Sequence, residues 1–348
     1  MKRKKTSLKD IAKKVGVSTA TVSYVLSKGK ESKVSAAVSE KVKQAAKELN
    51  YQPNQIAKSL KSGRTFTIGL IVADISNPFF SHIARIIEDE AAHFNYNVIF
   101  GSSDEKAEKS DNLIQFLINR QVDGFIIAPA EGSEKQVQAL KEQDIPFVLI
   151  DRYFPEIPSN YVVLNNYKAA HDGVSRLIKT GHKKIGMIAY SNSLQHMCER
   201  VKGYKQALLE NQLDYREKWI KEIDFTHIEE EMKTALNEML LTKEPIDAIF
   251  FATNTLAVHG LKYIDQLQLK VPNDVAIVSF DEGEAFDFYY CPLTYLKQPL
   301  EEFGKQSVRI LTAHIANSDL EEENLQLDAE LIIRKSCGRI PREEEKQY

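Results

Sequence analysis

Near residue 65 the chain changes its periodicity and its charge together, and that break limits the fold more than any single motif does. Before it, apolar residues recur at helical spacing, and 16 of the 46 Lys and Arg meet only 4 of the 49 Asp and Glu, a net of +12. After it, short apolar runs alternate with amphipathic stretches and the net charge is −15. A chain of 348 residues also exceeds what one hydrophobic core usually organises. The expectation is a small basic module ahead of a large acidic body, with a polyanion as partner of the first part alone.

Several classes fall away on simple grounds. The hydrophobic content of 43% and charged content of 27% are those of a folded globular chain. No apolar run approaches the roughly 18 residues that span a bilayer. Met1-Lys2-Arg3-Lys4-Lys5 leads into polar residues and not into the apolar core of a signal peptide, so the cytoplasm is the expected compartment and a membrane is not an expected partner. Cys198, Cys291 and Cys337 lie far apart without a CxxC pair, which suits reduced thiols and neither a zinc cluster nor a disulfide framework. His182, His196, His227 and His259 show no HxxxH or HExxH spacing and read as structural or surface histidines; no metal is expected.

In the basic segment, Leu8, Ile11, Ala12 and Val15 recur at helical spacing until Gly16, where a left-handed turn residue fits. Ser18 is a good N-cap for a second helix from Thr19 to Leu26, with Val22, Val25 and Leu26 inward. This is helix-turn-helix patterning, which leaves Thr19, Ala20, Ser23 and Tyr24 on the outer face to enter a major groove. A third helix is expected from Ser35 to Leu49, its buried stripe Val38, Val42, Ala45, Ala46 and Leu49. A short one opened by Pro53 is expected to end in a polar linker, 61–65, and is too short to form without a partner.

Beyond residue 65, strands are expected at 67–73, 97–101, 124–128 and 146–150, with helices near 79–94, 106–120 and 133–143 between them. A second series follows, with strands at 184–189, 247–252 and 275–280 and helices near 167–180, 199–212, 227–240 and 254–267. Such alternation implies parallel α/β organisation in two similar lobes. Ligands of open α/β sheets sit beyond the carboxyl ends of the strands, where Asp74, Asp151 and Asp281 fall.

Leu8-Lys9-Asp10-Ile11-Ala12, Val15-Gly16-Val17-Ser18, Thr21-Val22-Ser23, Leu49-Asn50-Tyr51-Gln52-Pro53-Asn54 and Ala57 together resemble the lactose and galactose repressor family, and the resemblance runs over roughly residues 6–340. It implies an α/β protein with a small all-α helix-turn-helix head (6–52), a hinge helix and linker (53–65), and a two-lobed body with parallel sheets like periplasmic sugar-binding proteins (66–340). Lobe 1 would hold about 66–163 plus 295–325 and lobe 2 about 164–293 plus 326–340, with crossings near 164, 294 and 325. The implied DNA contacts are Ser18, Thr19, Ala20, Thr21, Ser23 and Tyr24 in the head and Asn54, Ala57 and Leu60 in the hinge. The hinge helix would fold on the operator against its dimer mate, with Leu60 wedged between base pairs. Tyr24 departs from the arginine of many members, which can fork onto guanine, so a different base preference is implied there.

The same resemblance places Asp74, Phe79, Phe80, Asp151, Arg152, Arg200, Phe225, Asn254 and Asp281 around an effector. Asn77-Pro78 is read as opening the helix that presents the two Phe rings, and Arg200 as preceding a helix that begins at Val201. Carboxylates, guanidiniums, an amide and aromatic faces suit a polyhydroxylated ligand, a sugar or sugar derivative; Arg152 leaves uronates and phosphorylated sugars open. The implied function is a homodimeric transcription regulator, a repressor of carbohydrate-utilisation genes on a palindromic operator, its grip set by that effector. The first strand runs into Asp74-Ile75-Ser76-Asn77-Pro78 without a GxGxxG, and there is no P-loop, so neither an enzyme nor a cofactor is expected. The alternative, a solute-binding protein of a transport system, is disfavoured by the basic head and the lack of a signal peptide.

Overall fold

The computed structural model describes residues 6–26, 34–52 and 63–338, which divide into two compact units between Thr65 and Phe66. The first is a three-helix unit, α1 (Leu8–Val15), α2 (Thr19–Leu26) and α3 (Ala36–Glu48). Ser7 and Asp10 cap α1 reciprocally, and Gly16 ends it at φ 76°, where a β-carbon would be strained. Ser18 Oγ then accepts from Thr21 N at 3.0 Å, so the turn into α2 is fixed by two short-range devices the sequence displays. Ile11, Ala12, Val22, Val25, Val42, Ala45 and Ala46 form the core. Ser18, Thr19, Ala20 and Tyr24 are exposed, and Thr21 and Ser23 half-buried. Asn54, Ala57 and Leu60 lie outside the described residues.

The second unit contains two six-stranded sheets of matching topology. One lobe holds β1 (Thr67–Val72), α4 (Pro78–His93), β2 (Asn97–Ser102), α5 (Ala107–Asn119), β3 (Gly124–Ile127), α6 (Glu134–Glu142), β4 (Phe147–Ile150) and β5 (Asn160–Leu164). The other holds α7 (Asn166–Lys179), β6 (Ile185–Tyr190), α8 (Gln195–Glu210), β7 (Ile220–Ile223), α9 (Ile228–Leu240), β8 (Ala248–Phe251), α10 (Asn254–Gln266), β9 (Ala276–Phe280), α11 (Glu284–Phe288) and β10 (Thr294–Lys297). The chain returns to the first lobe for α12 (Leu300–Ala316) and β11 (Asn324–Leu327), then gives β12 (Glu330–Ile332) to the second. Strand orders are β11-β5-β4-β3-β1-β2 and β12-β10-β9-β8-β6-β7; every pairing is parallel except β10 with β12. The inner strands β3, β4, β8 and β9 are buried throughout because helices cover both faces, which is why they read as unbroken apolar runs.

The sequence reading expects no strand at β5, β7, β10, β11 or β12, and two further details differ from it. Because β10 pairs with β9 and β11 with β5, the second and third crossings between lobes follow Lys297 and Leu327, about three residues later than expected. And α8 begins at Gln195, so Arg200 lies inside that helix and not ahead of it. Among the described residues no helix is long and apolar enough to cross a membrane.

Candidate ligand-binding site

In each sheet the first strand of its lobe lies between the second and third, so the connections leave it in opposite directions and open a crevice at the strand ends. The ends of the two sheets share one cavity of about 440 Å³, within the usual range for small-ligand pockets. Asp151 follows β4 and Asp281 follows β9, the corresponding strand of the other lobe. The two are built alike. Each takes a left-handed backbone, φ 65° and 64°, and each amide continues the ladder to the next strand, Asp151 N to the Val162 carbonyl at 3.1 Å and Asp281 N to that of Leu296 at 3.0 Å. Asp tolerates this conformation better than most residues, and the kink turns both carboxyl groups into the cavity.

Two guanidiniums share the cavity with these carboxylates: Arg152 beside Asp151, and Arg200, whose charge is drawn to both. Arg200 Nε donates to Asn166 Oδ1 at 2.8 Å and Nη1 to the Ala252 carbonyl at 2.6 Å, with its Cζ 3.7 Å from the centre of the Phe280 ring. Arg152 donates from both terminal nitrogens to Glu105, at 2.6 and 2.7 Å, and lies over Phe80. Burial pushes the Asp151 carboxyl up to about 6, against the pull of Arg152 and Arg200. Burial raises Asp281 as well, opposed by Arg200, the Gln298 amide and the backbone N–H of Asn254. Burial, and then the two arginines, drive His196 well below the usual imidazole range, so its ring is neutral.

Eight of the nine expected effector residues line this cavity: Asp74, Phe79, Phe80, Asp151, Arg152, Arg200, Phe225 and Asp281. Asn77 Oδ1 accepts from Phe79 N and Pro78 opens α4, as read, and the rings of Phe79 and Phe80 meet edge to face at 4.9 Å. Asn254 is the exception. It is the first residue of α10; its side-chain amide turns to the Glu282 carbonyl, and its backbone N–H serves Asp281. The sequence reading missed Glu105, Glu131, His196 and Gln298, all in the lining. Glu131 ties the lobes together, accepting from Ser193 N at 2.8 Å and Ser193 Oγ at 2.6 Å. His196, read as an ordinary structural histidine, comes into the cavity wall because α8 starts a turn early.

A basic helix-turn-helix unit joined to a two-lobed body with a polar cavity between the lobes defines a ligand-responsive DNA-binding regulator. Comparison with known proteins agrees. The family described as periplasmic binding proteins and sugar binding domain of LacI family matches residues 65–335, and that of bacterial regulatory proteins, lacI family, matches residues 7–54. Catabolite control protein A of Priestia megaterium is 34% identical over 94% of this chain and 98% of its own length. The transcriptional repressor CytR of Escherichia coli K12 is 33% identical over 98% of this chain and all of its own. Among solved structures, the lac repressor dimer bound to operator and the anti-inducer ONPF has a TM-score of 0.84 at 25% identity, covering 97% of this chain and 100% of that one. The regulator CelR in complex with cellobiose has a TM-score of 0.72 at 28% identity, covering 95% and 100%. The chain belongs to the LacI family, and it is a DNA-binding transcription regulator and not the binding protein of a transport system.

Proposed function

We propose that this regulator is a cytoplasmic repressor that binds a palindromic operator as a homodimer, and that a small polyhydroxylated effector, a sugar or sugar derivative, binds between the lobes and resets operator affinity. One observation carries the effector reading: Asp151 and Asp281 follow equivalent strands of the two lobes and face one cavity, whose lining also holds Arg200. A ligand whose hydroxyls reach both carboxylates interacts differently with open and closed lobes, and only such a difference shifts the equilibrium between them. Asp74, Arg152, Phe79, Phe80 and Phe225 complete the proposed pocket, and the backbone of Asn254 supports it through Asp281. The dimer reading draws on the lac repressor, solved as a dimer on its operator, and the sugar reading on CelR with cellobiose.

A thermal-shift screen of the full chain against mono- and disaccharides, sugar derivatives and purines tests this. A ligand at a hundred times its Kd stabilises what it binds by about 2.7 kcal/mol. The expected result is a selective hit that also changes operator affinity and is lost in Asp281→Asn; a hit indifferent to Asp281→Asn, or without effect on operator binding, defeats the reading.

The pocket's pH response follows from Asp151. A carboxyl raised to about 6 in the empty protein contributes stability that is fully present below the ordinary carboxylate range and is lost as pH rises through 6. An effector that donates hydroxyls to it favours the ionised form. At pH 5 only about a tenth of the groups are ionised, so affinity falls about tenfold from its value at pH 7. Titration calorimetry at pH 6 in two buffers of different ionisation enthalpy should show proton release on binding; proton uptake would contradict the assignment.

On the DNA side, the proposed major-groove contacts are Ser18, Thr19, Ala20, Thr21, Ser23 and Tyr24, and the proposed hinge contacts Asn54, Ala57 and Leu60. Leu60→Ala is expected to weaken operator binding by about tenfold while leaving binding to unrelated duplex, which comes from Lys and Arg contacts to phosphate, within about twofold. Fluorescence anisotropy on both duplexes checks this, and equal losses on the two would refute the wedge.

A further inference from the structure

Arg152 and Arg200 are the two guanidiniums in the cavity wall, and either could serve as the fork for a phosphate or carboxylate on a ligand. Each is already held by protein groups, with Arg152 Nε left without a hydrogen bond. Arg152 holds Glu105 with both terminal nitrogens, gives a further bond from Nη1 to the Pro129 carbonyl at 3.3 Å, and keeps Nε 3.3 Å from an Asp151 oxygen. Two of the three nitrogens of Arg200 are taken by Asn166 and Ala252, and its charge is drawn to Asp281 and Asp151. Around them the lining carries seven carboxylates against three cations, Lys106 being the third. Asp74 and Glu131 accept from serines, so their charge adds to an already negative field. An anionic ligand would have to break the Glu105 fork on Arg152 or sit on Arg200 in the field of the buried carboxylates Asp281 and Asp151.

The buried side-chain atoms of the lining that lack partners include a donor, Arg152 Nε, as well as Gln298 Oε1 and His196 Nδ1, a mixture that a neutral hydroxyl, able to donate and accept, meets. Gln298, 4% exposed, gives its Nε2 to Asp281 at 2.5 Å and leaves Oε1, an acceptor, without a donor. His196, 6% exposed, leaves Nδ1 without a partner on a neutral ring. Both side chains line the cavity. Gln298 Oε1 is an acceptor, and a buried acceptor left unmet costs free energy; a hydroxyl or ammonium on the ligand satisfies it where a carboxylate or phosphate dianion does not, and a hydroxyl serves either tautomer of His196.

We infer that this cavity selects an uncharged or cationic polyol, a neutral sugar or an amino sugar, and rejects the uronate and phosphate counterparts of the same ligand. The inference rests on the reading that the effector occupies this cavity, and it closes the opening toward sugar acids and sugar phosphates that Arg152 presents in the sequence.

The test is calorimetric titration of the full chain with a matched panel: glucose, galactose, ribose and cellobiose; glucosamine and galactosamine; glucuronate and galacturonate; glucose 6-phosphate, galactose 1-phosphate and ribose 5-phosphate. Binding is expected from neutral or amino members, with anionic counterparts weaker by about tenfold or more, the effect of one unfavourable charge in a partly buried site. Glu105→Gln, which removes a carboxylate and releases Arg152, is expected to narrow that gap. An anionic derivative that binds more tightly than its neutral parent, a gap unchanged in Glu105→Gln, or silence from every neutral and amino member overturns the inference. Anions that bind alone, and lose binding in Asp281→Asn, would leave the cavity as the effector site while refuting its selectivity. A neutral ligand that binds equally well to Asp281→Asn would refute the site itself.

Discussion

Arg200→Met is expected to destabilise the body by about 3–5 kcal/mol and to abolish effector binding, because it removes one partner of a buried charge cluster and leaves the others uncompensated. Arg200 is 2% exposed, and burial lowers its pKa against the opposing pull of Asp281 and Asp151. Methionine would keep the contact with Phe280 but lose the bonds to Asn166 and Ala252 and the counter-charge of both carboxylates. Without that charge the two carboxyl groups rise further, so the loss is larger at pH 8, where ionisation is forced, than at pH 5, where Asp151 takes up its proton and relieves the repulsion. Trp219, the one tryptophan of the chain and buried in the second lobe, reports urea unfolding. Asp281→Asn in the Arg200→Met background should recover part of the loss. Equal stability of Arg200→Met and the parent at pH 8 would mean that the cluster does not stabilise the fold.

Most of the architecture is visible in the sequence because local signals and burial agree there. Gly16 and Ser18 announce the turn between α1 and α2, and both act as their chemistry suggests. The doubly covered strands read as apolar runs, and their ends locate Asp151 and Asp281. Three of the edge strands do not read this way: β7, β11 and β12 are three or four residues long and partly exposed, too short for a run or for an alternation that stands out from the neighbouring loops. The start of α8 is hidden for a related reason, since its N-cap is Leu194, with no side-chain cap bond to mark it. That single misplacement hides His196 and puts Arg200 outside its helix. Glu105 and Gln298 are silent in the sequence because they sit on irregular segments, one after β2 at φ 57° and one in the crossing between lobes, where only tertiary contact with Arg152 or Asp281 gives them a role. The part of the site built by strand ends is legible, and the part built by pairing across the cavity is not.

Gly203→Val is expected to destabilise the second lobe by about 2 kcal/mol and to loosen the effector site without touching it. Arg200, Gly203, Tyr204, Ala207 and Leu208 form the buried stripe of α8, with Gly203 at its close crossing with α7. A β-carbon there would lie 2.2 Å from the Tyr167 carbonyl and 3.0 Å from Ala170 Cβ. Two effects oppose each other. Alanine or valine in place of a helical glycine gains up to about 1 kcal/mol of helix propensity, whereas overpacking costs about 1–3 kcal/mol, and here the upper end applies because the atom in the way is backbone and cannot rotate aside. The helices must therefore part, and with them the bond from Arg200 on α8 to Asn166 at the start of α7. Effector affinity should fall together with stability, while Lys202→Ala on the exposed face of the same helix should change stability by less than about 0.5 kcal/mol. Urea unfolding followed at Trp219 and effector titration of both variants decide the matter. A Gly203→Val protein as stable as the parent would mean that α7 and α8 can separate without consequence, and Arg200 would then need another explanation for its fixed orientation.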